Sequence, residues 1–78
     1  MINYYLRPDG TQVKVDGDNQ TISNVVNKED QKIIGHFTGT DYYNRVSTDA
    51  VNLNWPLSNE TDFNTAKTFV LDYLTNNA

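Results

Sequence analysis

The side chains most often used for catalysis are sparse in this chain, and their spacing limits what they could do. His36 is the only histidine among 78 residues, and there is no cysteine. A transition-metal site built from several His and Cys side chains therefore lacks ligands. A nucleophilic triad would need His36 beside Ser23, Ser47 or Ser58. None of these serines has the Gly-x-Ser-x-Gly setting of a nucleophile elbow. A histidine on the surface of a strand is the plainer reading.

The run Asp16-Gly17-Asp18-Asn19-Gln20 places side-chain oxygens at alternate positions, as a calcium loop does. It carries Thr21 where such a loop needs its glycine, and Asn27 where it needs a bidentate glutamate, so a solvated hairpin turn is expected instead. Glu29-Asp30 and Glu60/Asp62 are the paired carboxylates. A glycosidase pair must face one cleft about 5–9.5 Å apart, and a chain this short has little room for that cleft. Gly17, Gly35 and Gly39 form no phosphate-cradling pattern. The expectation is a protein that is not an enzyme and needs no cofactor or metal.

Charge narrows the partners. Ten acidic residues outnumber six basic ones, for a net charge of −4. Arg7, Lys14, Lys28, Lys32, Arg45 and Lys67 are scattered rather than gathered into a stripe, which argues against nucleic acid. The acids are also too diluted by bases to imitate a phosphate backbone. No apolar run reaches the ~18 residues of a membrane helix, and the first residues lack the basic and apolar regions of a signal peptide. A cytoplasmic location is expected (the host cell's, if the chain is viral). Eleven Asn and nine Thr against four Lys and two Glu predict a polar, weakly charged surface.

The elements that must position these residues follow from periodicity. Ile2, Tyr4 and Leu6 alternate with polar neighbours, Arg7-Pro8-Asp9-Gly10 is a turn signal, and Val13 and Val15 return, so residues 2–15 read as a β-hairpin. A third strand is expected over Gln20 to Val26, although Ile22, Val25 and Val26 do not share one parity, which a bulge or an early strand end would resolve. Asn27 to Asp30 reads as a charged loop and Lys32 to Thr38 as a strand. Tyr42 to Ser47 reads as its return, and the alternation of Val51, Leu53 and Trp55 as a further strand ended by Pro56. From a cap at Ser58 or Asn59 the period becomes helical, with Phe63, Ala66, Val70, Tyr73 and Leu74 on one face through Thr75.

The predicted fold is α+β: an antiparallel β-meander of about five to six short strands with one C-terminal α-helix packed on one face, in two layers, as a single domain over residues 1–78. Two features of that fold suggest a surface. Phe69 and Leu71 widen the helix's apolar arc to roughly 200°, more than one sheet face needs. They either flank a groove in a curved sheet or contact a partner. Tyr4-Tyr5 and Tyr42-Tyr43 are adjacent pairs in predicted strands, so one tyrosine of each pair leaves the helix-covered face. Which tyrosine of each pair faces outward is left open; with Tyr5 and Tyr43 as the candidates, and His36 or Arg45 nearby, the outward two would form either a stabilising aromatic pair or a recognition patch.

In style the chain resembles the small accessory proteins encoded by bacteriophages: short, Met-initiated, acidic, Asn-rich and without catalytic motifs. The resemblance rests on no motif and carries no residue roles. The open sheet face, the outward tyrosines and the wide helix arc suggest a non-catalytic protein-binding module, of the phage-accessory type that modulates or inhibits a larger host partner. The other reading is a structural homo-oligomer, in the simplest case a homodimer, assembled through the helix flank or a sheet edge.

Overall fold

A computed structural model of the chain describes residues 1–77. Four strands come first: β1 (Ile2–Leu6), β2 (Gln12–Asp16), β3 (Thr21–Lys28) and β4 (Gln31–Thr38). Two helices follow, α1 (Thr40–Asn52) and α2 (Glu60–Asn76). The strands form one antiparallel meander in the order β1-β2-β3-β4. The α+β class and the antiparallel sheet are as expected, but there are four strands rather than five or six, and two helices rather than one.

Each hairpin turn has a local cause. In the first, the Gly10 N–H donates to the Arg7 carbonyl at 2.9 Å, and Gly10 sits at φ 89°, where a Cβ would strain. Asp9 accepts the Thr11 N–H at 3.0 Å, and Lys28 pairs with its other oxygen at 3.2 Å. That hydrogen bond, more than the lysine, holds the Asp9 carboxyl down to about 2 from 3.8. In the second turn, Asp16 accepts the N–H groups of Asp18 and Asn19, so its carboxylate closes the turn from within.

The pairing register explains the parity problem in β3 without a bulge. Partners run unbroken from Thr21 opposite Thr38 to Lys28 opposite Gln31. Ile22 and Val25 point to opposite faces because both faces are covered. On one face, Val13, Val15 and Ile22 meet Val46, Ala50 and Trp55, with Tyr5, Tyr42 and Tyr43 packed around them. On the other, Val25 meets Phe63 and Val70, with Tyr4, Ile34 and Ala66 alongside. The molecule is therefore three layers, α1 on the sheet on α2, and the expected bare face is absent.

The missing layer is α1, in the region expected to hold two strands. Tyr42, Val46 and Ala50 recur at a spacing of four, which gathers them on one helical face and buries Val46 and Ala50. Gly39, at φ 127°, turns the chain out of β4, and Asp41 lies in the first turn, where the helix dipole favours an acid. The apparent alternation of Val51, Leu53 and Trp55 is a helix end followed by a turn: only Trp55 is buried, while Val51 and Leu53 are exposed. Leu53 donates its N–H to the Asp49 carbonyl and Trp55 donates to Ala50, which closes α1.

The chain then wraps the sheet. Residues 56–58 run along the outer edge of β1: Leu6 donates to the Pro56 carbonyl and Ser58 donates to the Tyr4 carbonyl, each at 2.9 Å. Asn59 caps α2 by accepting the Asp62 N–H at 2.8 Å, with Glu60 and Asp62 in the first turn, as expected.

Two predictions follow from this packing. Ile22→Ala and Phe63→Ala remove buried side chains from opposite faces, so urea melts should show both destabilised, by about 2–5 and 3–5 kcal/mol; a sheet with one solvated face would leave one of them near neutral. The folded pKa of Asp9 lies below its unfolded value, so its contribution is present above pH 3.8 and fades as pH falls toward about 2. Asp9→Asn should cost about 1 kcal/mol at neutral pH. The gap to the wild type should close across that acidic window in melts run against pH.

Candidate interaction surface

Polar clusters come first, because one of them has the elements of chemistry. Across the α2 face, Tyr4, Lys14, Ser23 and His36 occupy one transverse row, each directly opposite its neighbour. Ser23 Oγ and His36 Nδ1 lie 2.8 Å apart. The sheet thus brings the lone histidine to one of the three serines singled out from the sequence. What surrounds the pair sets its use. His36 is exposed, and among the described residues no group of three or more His, Cys, Asp or Glu side chains converges. A nucleophile needs an oriented base, an oxyanion site and exclusion of water; a flat strand surface supplies none of these. The Ser23–His36 contact is best described as a cross-strand polar pair.

Concave surface is also limited. The larger hollow, about 630 Å³, is lined by Thr61, Asn64, Thr65, Thr68, Phe69 and Asp72. All six lie on α2, so the hollow has one wall and cannot enclose a ligand. A smaller one of about 330 Å³ lies along Asp41, Tyr42 and Arg45 at the start of α1. Among the described residues no buried side-chain N or O atom lacks a hydrogen-bond partner.

The expected recognition patch is not formed. Tyr5 lies half-buried under α1, and Tyr43 lies half-buried on α1 itself, packed on the same cluster. Their burial follows from the second helix: Tyr43 is helical, and the face Tyr5 points to is covered. Tyr4 packs under α2 with its ring 5.7 Å from Phe63; burial, and then the Glu60 carboxylate, raises its pKa. His36 is on the opposite sheet face from Tyr5. Arg45 is exposed and stacks over Tyr42 at 5.1 Å, and Tyr42 meets Phe37 at 4.9 Å.

The exposed apolar residues lie elsewhere. Phe69 is 56% and Leu71 47% exposed. At about 100° per residue they sit on opposite flanks of α2 rather than in one patch. Tyr73 and Leu74 are 42% and 40% exposed although their angles point toward the sheet. Position explains this. Phe63 sits over Tyr4 of β1, Val70 over Val25, and Tyr73 over Lys32 of β4, so α2 crosses the sheet diagonally and its last turns overhang the β4 edge. On the other face Ile33 and Phe37 of β4 are 42% and 43% exposed. Sequence reasoning found Phe69 and Leu71 but missed Ile33, Phe37 and the overhang, because these depend on which strand lies at the open edge.

Compared with known proteins, the chain matches no protein family, no curated protein and no solved structure. Among the described residues, no helix is long and apolar enough to cross a membrane.

If the Ser23–His36 pair is structural, a serine-directed fluorophosphonate should leave the intact mass unchanged. A stoichiometric adduct on Ser23, lost in His36→Ala, would show an activated nucleophile.

Proposed function

We propose that this protein is a non-catalytic protein-binding module that acts by occluding or adapting a larger partner, in the manner of a phage-type accessory protein. The observation that supports this reading is α2. It is a 17-residue helix with only Phe63 and Val70 buried, while Phe69, Leu71, Tyr73 and Leu74 stay exposed. Isolated exposed apolar residues are ordinary; here Phe69 on one flank of α2 and Leu71 on the other join the half-exposed Tyr73 and Leu74 of its last turns, so the helix offers apolar side chains to a partner on either flank. Charge agrees with a protein partner: the net charge of −4 repels phosphate backbones and anionic lipid alike.

The structural homo-oligomer is the second reading. One observation favours it: β1 is edged by residues 56–58, whereas β4 pairs only with β3.

The test of the leading reading is cross-linking and quantitative affinity capture from the cell that encodes the protein, comparing the wild type with Phe69→Asp and Leu71→Asp. Both positions are exposed, so circular dichroism should be unchanged. A stoichiometric partner should be captured by the wild type and reduced about tenfold or more by at least one variant. Capture of the same partner by both variants at wild-type levels removes α2 as the binding surface.

A further inference from the structure

We infer that the open edge of β4 is a self-complementary interface, taken by the β4 strand of a second copy of this chain in a two-fold antiparallel dimer with a continuous eight-stranded sheet. This deepens the homo-oligomer reading and does not depend on any foreign partner.

The two edges of the sheet differ in kind. At β1 the outward backbone groups are used by Pro56 and Ser58. β4 runs eight residues, carries no proline, shows no bulge against β3 and has no neighbour on its outer side. An edge of that length, left unblocked, is a template for another strand. β4 contains Lys32 and His36 and no Asp or Glu, so no acids repel each other along this edge.

The occupant follows from symmetry. In an antiparallel pair related by a two-fold axis normal to the sheet, opposite residues share a face, so the axis must pass beside a single residue. With the axis at Gly35, Ile33 faces the second copy's Phe37, and Phe37 its Ile33. The four half-exposed apolar side chains of one sheet face then meet in cross-strand pairs. Lys32 falls opposite Thr38 of the second copy, so no like charges oppose. With the axis one residue earlier, at Ile34, Lys32 would oppose His36. Gly35 suits the centre, because the ring of its own Phe37 lies over it where a Cβ would stand, 2.8 Å away.

The other face fits the same operation. α2 leaves the sheet at the Lys32 end of β4, where Tyr73 sits 5.0 Å over the ammonium. The β4 corner it leaves uncovered carries His36 and Thr38, both exposed. The two-fold puts the second copy's uncovered corner beside this overhang. Tyr73 and Leu74 of each copy then reach the other's bare corner. The last turn of α2 has no basic residue to offset its negative dipole end, and the nearest side chain of the Lys14–Ser23–His36 row at that edge is His36.

Sedimentation equilibrium from micromolar to millimolar concentration tests this. The expected result is a reversible rise from 8.9 kDa to twice that mass, with no larger species. Ile33→Glu combined with Phe37→Glu sets like charges opposite each other across the axis. It should weaken association by roughly tenfold or more. Ile33→Lys combined with Phe37→Glu sets opposite charges there and should restore the dimer. Both variants lose Phe37, so any cost to the fold is shared and only the charge pairing differs. A monomer at every concentration, a dimer indifferent to the paired charges, or an open-ended polymer overturns the inference. The Phe69 and Leu71 variants leave β4 intact, so loss of a foreign partner and loss of the dimer are separate results.

Discussion

Strand β3 sets the architecture, because it carries a large apolar side chain on each face. Ile22 and Val25 are both essentially inaccessible, and they point in opposite directions. A sheet with such a strand cannot leave either side in water. Each exposed side chain would forfeit about 1.5–3 kcal/mol, a large share of the stability available to a small domain. One helix covers one face only. The chain therefore supplies two helices and must carry the polypeptide from one face to the other round an edge. Residues 53–59 make that passage at β1, and in doing so they use the backbone groups that β1 would otherwise leave open.

Closure at β1 has a consequence at β4. The connection passes one edge only, so the opposite edge keeps its free backbone. The two helices cross the sheet in opposite senses: α1 starts from the end of β4, beside Phe37, and α2 ends above Lys32. Material is added at β1 and absent at β4. The core is uneven as well: the cluster on the α1 face has six buried residues, Val46, Ala50 and Trp55 among them, and the cluster on the α2 face has three. α2, the helix over the smaller buried cluster, is the one that projects past the open edge. Small domains bury too little surface to be generous with apolar side chains, and eleven large apolar residues are exposed among those described.

Local signals in the sequence carried the local structure. The Pro8-Asp9-Gly10 turn, the alternation of Val13 and Val15, and the Asn59 cap each act within a few residues, and each forms as read. The error over residues 42–55 has a physical origin. Tyr, Val, Trp and Thr favour strands, and the two-residue alternation ending at Trp55 imitated one. The competing signal was Tyr42, Val46 and Ala50 at four-residue intervals, with Asp41 at a helix start. The mixed parity of β3 was a second warning. It signalled a sheet buried on both sides, and hence a second helix, rather than a bulge. The surface was less legible for the same reason. Angles alone put Phe69 and Leu71 at the margins of the helix's apolar arc, with a sheet groove and a partner contact as the alternatives. The exposure of Ile33, Phe37 and Leu74 depends on strand order and on where α2 runs off the sheet, which no local pattern encodes.

The composition gains meaning at the β4 edge. Natural sheets blunt an exposed edge with charge, proline or a bulge. Here the solubilising load is carried mainly by Asn and Thr, and Lys32 is the only permanently charged side chain on β4. Its ammonium is engaged with the Lys28 carbonyl and the Tyr73 ring, so it lies along the molecule rather than guarding the edge. An edge left this open would invite indiscriminate pairing unless some device favoured a single occupant. In the proposed dimer, register would supply one: the glycine at the centre and the apolar residue on either side of it match only when two such strands meet antiparallel about Gly35. Specificity of that kind comes from the order of residues along the strand, not from the number of apolar groups it exposes.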